Sequence, residues 1–177
     1  MQIVSKRANS NEAILSGTSA GSMIMCSPIY GDGIPYGHLY FSVSAGLAPK
    51  NVSDGAVNGT GTEDMRNGSK GIQHSDNGGI MPGFGFLPFL VDTHFDARGR
   101  LGRIIPAIVS MKKDYGVGVD ESSAFFYDNG KAKVYGKNGA FIVDITKATL
   151  NIQTYFGINN VIVHYLTSGD EFDFSTK

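Results

Sequence analysis

The sequence has no tryptophan and a single cysteine, Cys26. One thiol excludes an internal disulfide framework. With no basic residue beside it in sequence, Cys26 reads as a buried structural thiol. An excess of either charge is also missing. The 15 Lys+Arg against 16 Asp+Glu leave a formal charge of −1. That removes charge-driven binding to nucleic acid or to an anionic membrane as a default. No apolar run approaches the roughly 18 residues that a spanning helix needs. Met1 to Arg7 carries no apolar core of the signal-peptide kind. Neither a nucleic-acid nor a membrane partner is therefore expected, and no feature assigns a compartment.

Glycine, by contrast, is in excess: 24 of 177 residues, about twice average usage. Each glycine marks a turn, a cap or a close backbone approach. Hydrophobic residues at 41% make the composition globular, and the length suits one domain over 1–177.

Along the chain, Ile3 and Val4 suggest the remnant of an amphipathic helix. Ala13–Ser16 reads as a short buried strand stopped by Gly17, and Ser22–Cys26 as the opening of a helix limited by Pro28. Residues 28–49 are apolar pieces broken by Gly and Pro. Residues 50–80 are rich in Asn, Gly, Ser and Thr and read as a polar surface loop. The sequons at Asn51, Asn58 and Asn67 are weak motifs in such a loop. A strand is expected near 86–91. Leu101, Ile104, Ile105, Ile108 and Val109 then follow a helical period, with Asp96 near the start, Pro106 inside and Lys112-Lys113 at the end. Tyr115–Asp120 reads as a strand. A hairpin is expected from Ala124–Tyr127 through Asp128-Asn129-Gly130 to Ala132–Tyr135. Ala140–Ile145 and Asn159–Leu166 complete the strands, before an acidic tail. The pattern implies an α/β fold with an antiparallel extension.

Gly17-Thr18-Ser19-Ala20-Gly21 is a G-x-S-x-G between a short apolar run and a possible helix, the context of a nucleophile elbow. Flanking glycines permit the sharp turn, and the amide after the serine, on Ala20, can hold an oxyanion. A serine nucleophile needs a base, and the base an orienting acid. Of His38, His74, His94 and His164, the first two sit in loop-like sequence and His164 in the last strand. His94 follows a buried strand, where open α/β sheets place their sites. Arg98, Arg100 and Arg103 come next, either as a solvated helix face or as an anion site. Glu121 ends the Gly116–Asp120 strand and can orient His94; Asp120 is the competing carboxylate. The order Ser, His, acid differs from the Ser, acid, His of α/β-hydrolases.

These residues carry a resemblance. The Ser19 motif, Asp92-Thr93-His94-Phe95 with its three arginines, Gly118-Val119-Asp120-Glu121, Gly83–Pro88 and Val163–Leu166 with Gly169-Asp170 together resemble the cyanophycinases. These form part of the peptidase S51 family, which is related to the aspartyl dipeptidases. The likeness covers nearly the whole chain, least well the 50–80 loop. It implies a flavodoxin-like, class I glutamine-amidotransferase-like three-layer α/β/α fold. It also implies a serine peptidase that cuts β-Asp-Arg peptides. By the same resemblance Ser19 is the nucleophile, His94 the base and Glu121 the orienting acid. Asp92, Thr93, Arg98, Arg100, Arg103 and Ala20 would contact substrate or shape its pocket, with no metal or organic cofactor.

Thr93 stands where the family has glutamine, and family members carry a long segment before the elbow that supplies strands and part of the oxyanion hole. A chain completed by a second chain, such as a homodimer, or one that has remodelled this half, is therefore expected. The alternative function is a catalytically impaired binding or structural module on the same fold. A third is an aspartyl dipeptidase whose arginines hold a substrate carboxylate.

Overall fold

The computed structural model describes residues 2–10, 12–27, 29–30, 80–81, 83–152 and 156–176. The three sequons, His38, His74 and nearly all of the polar loop lie outside these residues. Helix α1 (Gln2–Asn9) stands where Ile3 and Val4 suggested one, with both side chains exposed. The strand expected at Ala13–Ser16 is absent. The segment is irregular, and Ile14 is 84% exposed. Extended backbone becomes a strand only by pairing, and no described strand pairs with it. Helix α2 is a single turn, Ala20–Met23. It starts earlier than expected and stops short of Cys26. Beyond it, Phe84 and Phe86 donate to the carbonyls of Ile24 and Met25, and Cys26 bridges Leu87 in parallel. Strands β1 (Ile29–Tyr30) and β2 (Ile80–Met81) form a small antiparallel pair.

The central sheet holds β3 (Leu90–Thr93), β4 (Tyr115–Val119), β7 (Ala140–Asp144) and β10 (Ile162–Leu166), in the order β10-β7-β4-β3. The β3–β4 pair is parallel and the other two are antiparallel. Helix α3 (Leu101–Ser110) makes the crossover between β3 and β4, as parallel neighbours require. Its apolar stripe buries Ile104, Ala107 and Ile108. It sits over Gly116, where an added Cβ would lie 2.6 Å from the Ile108 Cδ1. Gly118 plays the same part for Phe95, whose ring carbons would be 2.2 Å from such a Cβ. The two β4 glycines thus pack against α3 and Phe95. Arg100, not Asp96, occupies the N-cap of α3, without a side-chain cap bond.

The expected hairpin is β5 (Ser123–Asp128) and β6 (Lys131–Gly136), closed by Asn129-Gly130 at φ 45° and 85°. Positive φ at both central residues is the turn that matches strand twist. Of the strand expected at 159–166, Ile162–Leu166 form β10, while Asn159 is the last residue of a separate strand. Asn160, at φ 59°, ends β9 (Phe156–Asn159), which pairs with β8 (Thr149–Ile152), and releases β10 to pair with β7. A strand unforeseen in the acidic tail, β11 (Glu171–Asp173), adds to β6. An aromatic cluster joins the two larger sheets: Phe89 stacks on Phe174 at 5.0 Å and meets the Tyr127 ring edge-on at 5.0 Å. The architecture is one of mixed sheets with few helices.

Candidate active site

Ser19 lies in the turn before α2, at φ 50° and ψ −124°, a backbone region costly for any residue with a side chain. Gly17 makes the turn possible: a Cβ there would lie 2.2 Å from the Gly21 carbonyl oxygen. Gly21, expected to serve the same end, has open space where a Cβ would stand. Serine at an N-cap ordinarily bonds the helix's own amides. Here Ser19 makes no cap bond, and its Oγ is 3.0 Å from the Nε2 of His94.

His94 is the first residue past β3, also at positive φ, 50°. Its Nδ1 is 3.0 Å from the Oε1 of Glu121. A neutral ring with its proton on Nδ1 donates to Glu121 and leaves Nε2 to accept from the Ser19 hydroxyl. Glu121 stands in the β4–β5 turn. Its carbonyl accepts from the Asn138 side chain at 2.8 Å, and the next residue, Ser122, is at φ 57°. The competing carboxylate is used elsewhere: Asp120 Oδ1 accepts the Ala97 amide at 3.3 Å. The site is open, with the Glu121 side chain 55% exposed and that of His94 27%. Sequence reasoning did not find Asn138. Only an Asn-Gly turn signal marks it, and its partner is a backbone atom.

Asp92, 1% exposed, lies behind His94. Its Oδ1 accepts from the Thr93 amide (2.8 Å), Arg100 Nη1 (2.8 Å) and Arg103 Nη2 (2.6 Å), and its Oδ2 from Arg103 Nε (2.6 Å). Arg103 is 2% exposed. Three of these bonds fall on Oδ1 and one on Oδ2, and the carboxylate is held by two guanidinium groups and an amide. Asp92 and Arg103 are therefore built into the wall of the site, and neither is presented to solvent. Burial pushes the Arg100 pKa down, the charges of Arg103 and Arg98 push the same way, and Asp92 opposes them. Arg98 is exposed, its amide donating to the His94 carbonyl at 3.1 Å. Thr93 is buried, and its Oγ1 finds no partner among the described residues. Ala20, also exposed, carries the first amide of α2, which cannot pair within the helix.

Among the described residues, no group of three or more His, Cys, Asp or Glu side chains is placed to hold a metal ion. His164 sits in β10 with its ring 4.9 Å from Phe172, away from the serine. A cleft of about 470 Å³ lies near the opposite ends of β3 and β4, between Lys112, Lys113, Tyr115, Tyr127 and Phe174.

No protein-family model matches the chain. Curated proteins named cyanophycinase do. That of Trichormus variabilis is 29% identical over 181 residues, covering 97% of this chain and 49% of the relative. That of Synechococcus elongatus is 36% identical over 105 residues, covering 55% of this chain and 33% of the relative. That of Geminocystis herdmanii is 25% identical over 183 residues, covering 99% and 55%. The chain is thus a relative of proteins named cyanophycinase, and its match spans between a third and about half of the length of these curated relatives. A solved peptidase from an acI-B1 actinobacterium aligns with 54% of this chain and 35% of its own, at 17% identity and a TM-score of 0.37. That likeness is too low to argue from.

Proposed function

We propose that the chain carries the catalytic residues of a cyanophycinase-like serine peptidase, with Ser19, His94 and Glu121 as a triad. The observation that carries this is the unbroken chain from Ser19 Oγ to His94 to Glu121, 3.0 Å at each link, between residues 75 and 27 apart in sequence. As Ser19 Oγ attacks a peptide carbonyl carbon, its proton passes to His94 Nε2. The Nδ1–H bond to Glu121 stabilises the imidazolium so formed. The Ala20 amide is placed to receive the oxyanion. Collapse breaks the C–N bond, and His94 returns the proton to the leaving amine. Water then hydrolyses the acyl-serine by the same steps in reverse roles.

The substrate class in this reading is a β-Asp-Arg peptide, or another aspartyl peptide. Exposed Arg98 has bonding capacity to offer it, whereas the Thr93 hydroxyl is buried. The α/β/α layering of a flavodoxin-like fold belongs to the same proposal, supported by the parallel β3–α3–β4 unit. So does completion of the open site by further polypeptide, as a homodimer or a second chain. Replacing Ser19 with Ala and measuring dipeptide release from β-Asp-Arg polymer tests the reading; undiminished release refutes it.

A module that keeps the site without turnover is the second reading. It is favoured by the exposure of Glu121 and by the single oxyanion donor, Ala20, among the described residues. Loss of one such donor is worth roughly a hundredfold or more in rate. Stoichiometric modification of Ser19 by a fluorophosphonate counts against it.

A further inference from the structure

We infer that Arg100 is a positioning residue for His94. It acts through the peptide that joins Thr93 to His94. The inference deepens the triad reading and rests on it for its chemical consequence. His94 must hold a positive φ of 50° for its ring to face both Ser19 and Glu121. A residue with a side chain keeps such a conformation only where its surroundings over-determine it.

The over-determination is visible on both sides of Thr93. The Thr93 amide donates to Asp92 Oδ1 at 2.8 Å. The Thr93 carbonyl, part of the peptide plane that sets the His94 nitrogen, accepts from Arg100 Nη1 at 2.6 Å. The same Nη1 donates to Asp92 Oδ1 at 2.8 Å. Arg103 holds Asp92 from behind with two further bonds. The backbone of Arg100 also ties the turn, its amide donating to the Phe95 carbonyl at 2.9 Å. Arg100 is the N-cap of α3, and α3 is seated on β4. The clamp therefore joins the end of β3 to a buried helix.

The side-chain exposures are 12% for Arg100 and 2% for Asp92. Arg100 Nη1 spends both its protons on Asp92 and the Thr93 carbonyl, so displacing the guanidinium disturbs the residue that carries the base. Planar guanidinium geometry suits this bridging. Lysine, with a rotatable point charge, would meet it in part.

The test uses the whole chain, wild type against Arg100→Met and Arg100→Lys. The rate of Ser19 modification by a fluorophosphonate and the ring 15N–1H signals of His94 are measured together. Fluorophosphonate modification needs the serine and its base but no substrate-specific pocket. In Arg100→Met the rate falls on the order of tenfold or more, the range of a lost positioned base, and the His94 ring signals broaden or split. Arg100→Lys recovers part of both. Should Arg100→Met fail to fold, Asp92→Asn, which keeps the shape and loses the charge that holds Arg100, shows the same two changes. A wild-type rate with unshifted His94 signals in a folded variant overturns the inference. If wild-type Ser19 does not react at all, the triad reading fails on its own, and the His94 ring signals still decide whether Arg100 holds the ring.

Discussion

Gly118 is the place where packing and the site meet, and Gly118→Ala gives a quantity to test. An added Cβ would lie 2.2 Å from Cγ of Phe95, with two further ring carbons at 2.4 and 2.5 Å. Carbon atoms settle at about 3.5–4.0 Å, so the ring would have to retreat by more than an ångström. It has little room. Phe95 is 1% exposed and packs on Phe141 with centroids 5.3 Å apart. Overpacking of this kind costs about 1–3 kcal/mol. At roughly 2–4 °C per kcal/mol for a chain of this size, the melting temperature falls by about 2–12 °C. Phe95 follows His94 directly, so the reaction of Ser19 with a fluorophosphonate slows as well. Gly21→Ala is the control. Its Cβ meets nothing within 4 Å, and alanine in a helix is favoured over glycine by about 0.5–1 kcal/mol. Thermal melts by circular dichroism read both variants. A Gly118→Ala chain that melts with the wild type, or a Gly21→Ala chain that loses as much as Gly118→Ala, refutes the reasoning.

Thr93→Val removes a buried hydroxyl that has no partner among the described residues. It raises the melting point by up to the equivalent of about 1–3 kcal/mol, while a role in binding shows as a higher KM for aspartyl peptides; a lower melting point contradicts the assignment. Cys26 is fully buried, and burial pushes its pKa up. Alkylation at neutral pH is therefore negligible in the native chain and fast in denaturant; rapid native reaction contradicts the burial. Acid should release β11. The bonds of Glu171 to Lys133, of Asp170 to Thr167 and of Asp173 to Ser175 each lower a carboxyl pKa. Their stabilisation is present above the unfolded values near 4 and is lost as pH falls through the lowered ones. Amide exchange at 171–173 should quicken there while that of β4 holds, and uniform protection across both strands contradicts it.

Residues whose signal is local were legible in the sequence. The Asn129-Gly130 turn, the Leu101–Ser110 stripe and β4 declared themselves through turn chemistry and periodicity. His94 and Glu121 stood out as types just past strands and Ser19 as the centre of a G-x-S-x-G, and their order pointed to the relatives found. What failed depended on pairing. Ala13–Ser16 has the apolar character of a strand, yet nothing among the described residues sits beside it. The strand expected at 159–166 starts later, at Ile162, because Asn160 at positive φ ends the separate strand that closes at Asn159. β11 sets Phe172 between two acidic residues, and both its pairing with β6 and the packing of Phe172 involve partners distant in sequence. The arginines illustrate the same limit. Their spacing suggests an anion site, but only the fold shows that Arg100 and Arg103 already have their anion in Asp92.

The central claim is that Ser19 is reactive because His94 and Glu121 make it so. The most direct measurement is the rate and site of fluorophosphonate modification in the wild type, His94→Ala and Glu121→Gln. Modification confined to Ser19, abolished in His94→Ala and slowed on the order of ten- to a hundredfold in Glu121→Gln, is the predicted result. A wild type that does not react, or a His94→Ala chain that reacts as fast as the wild type, contradicts it.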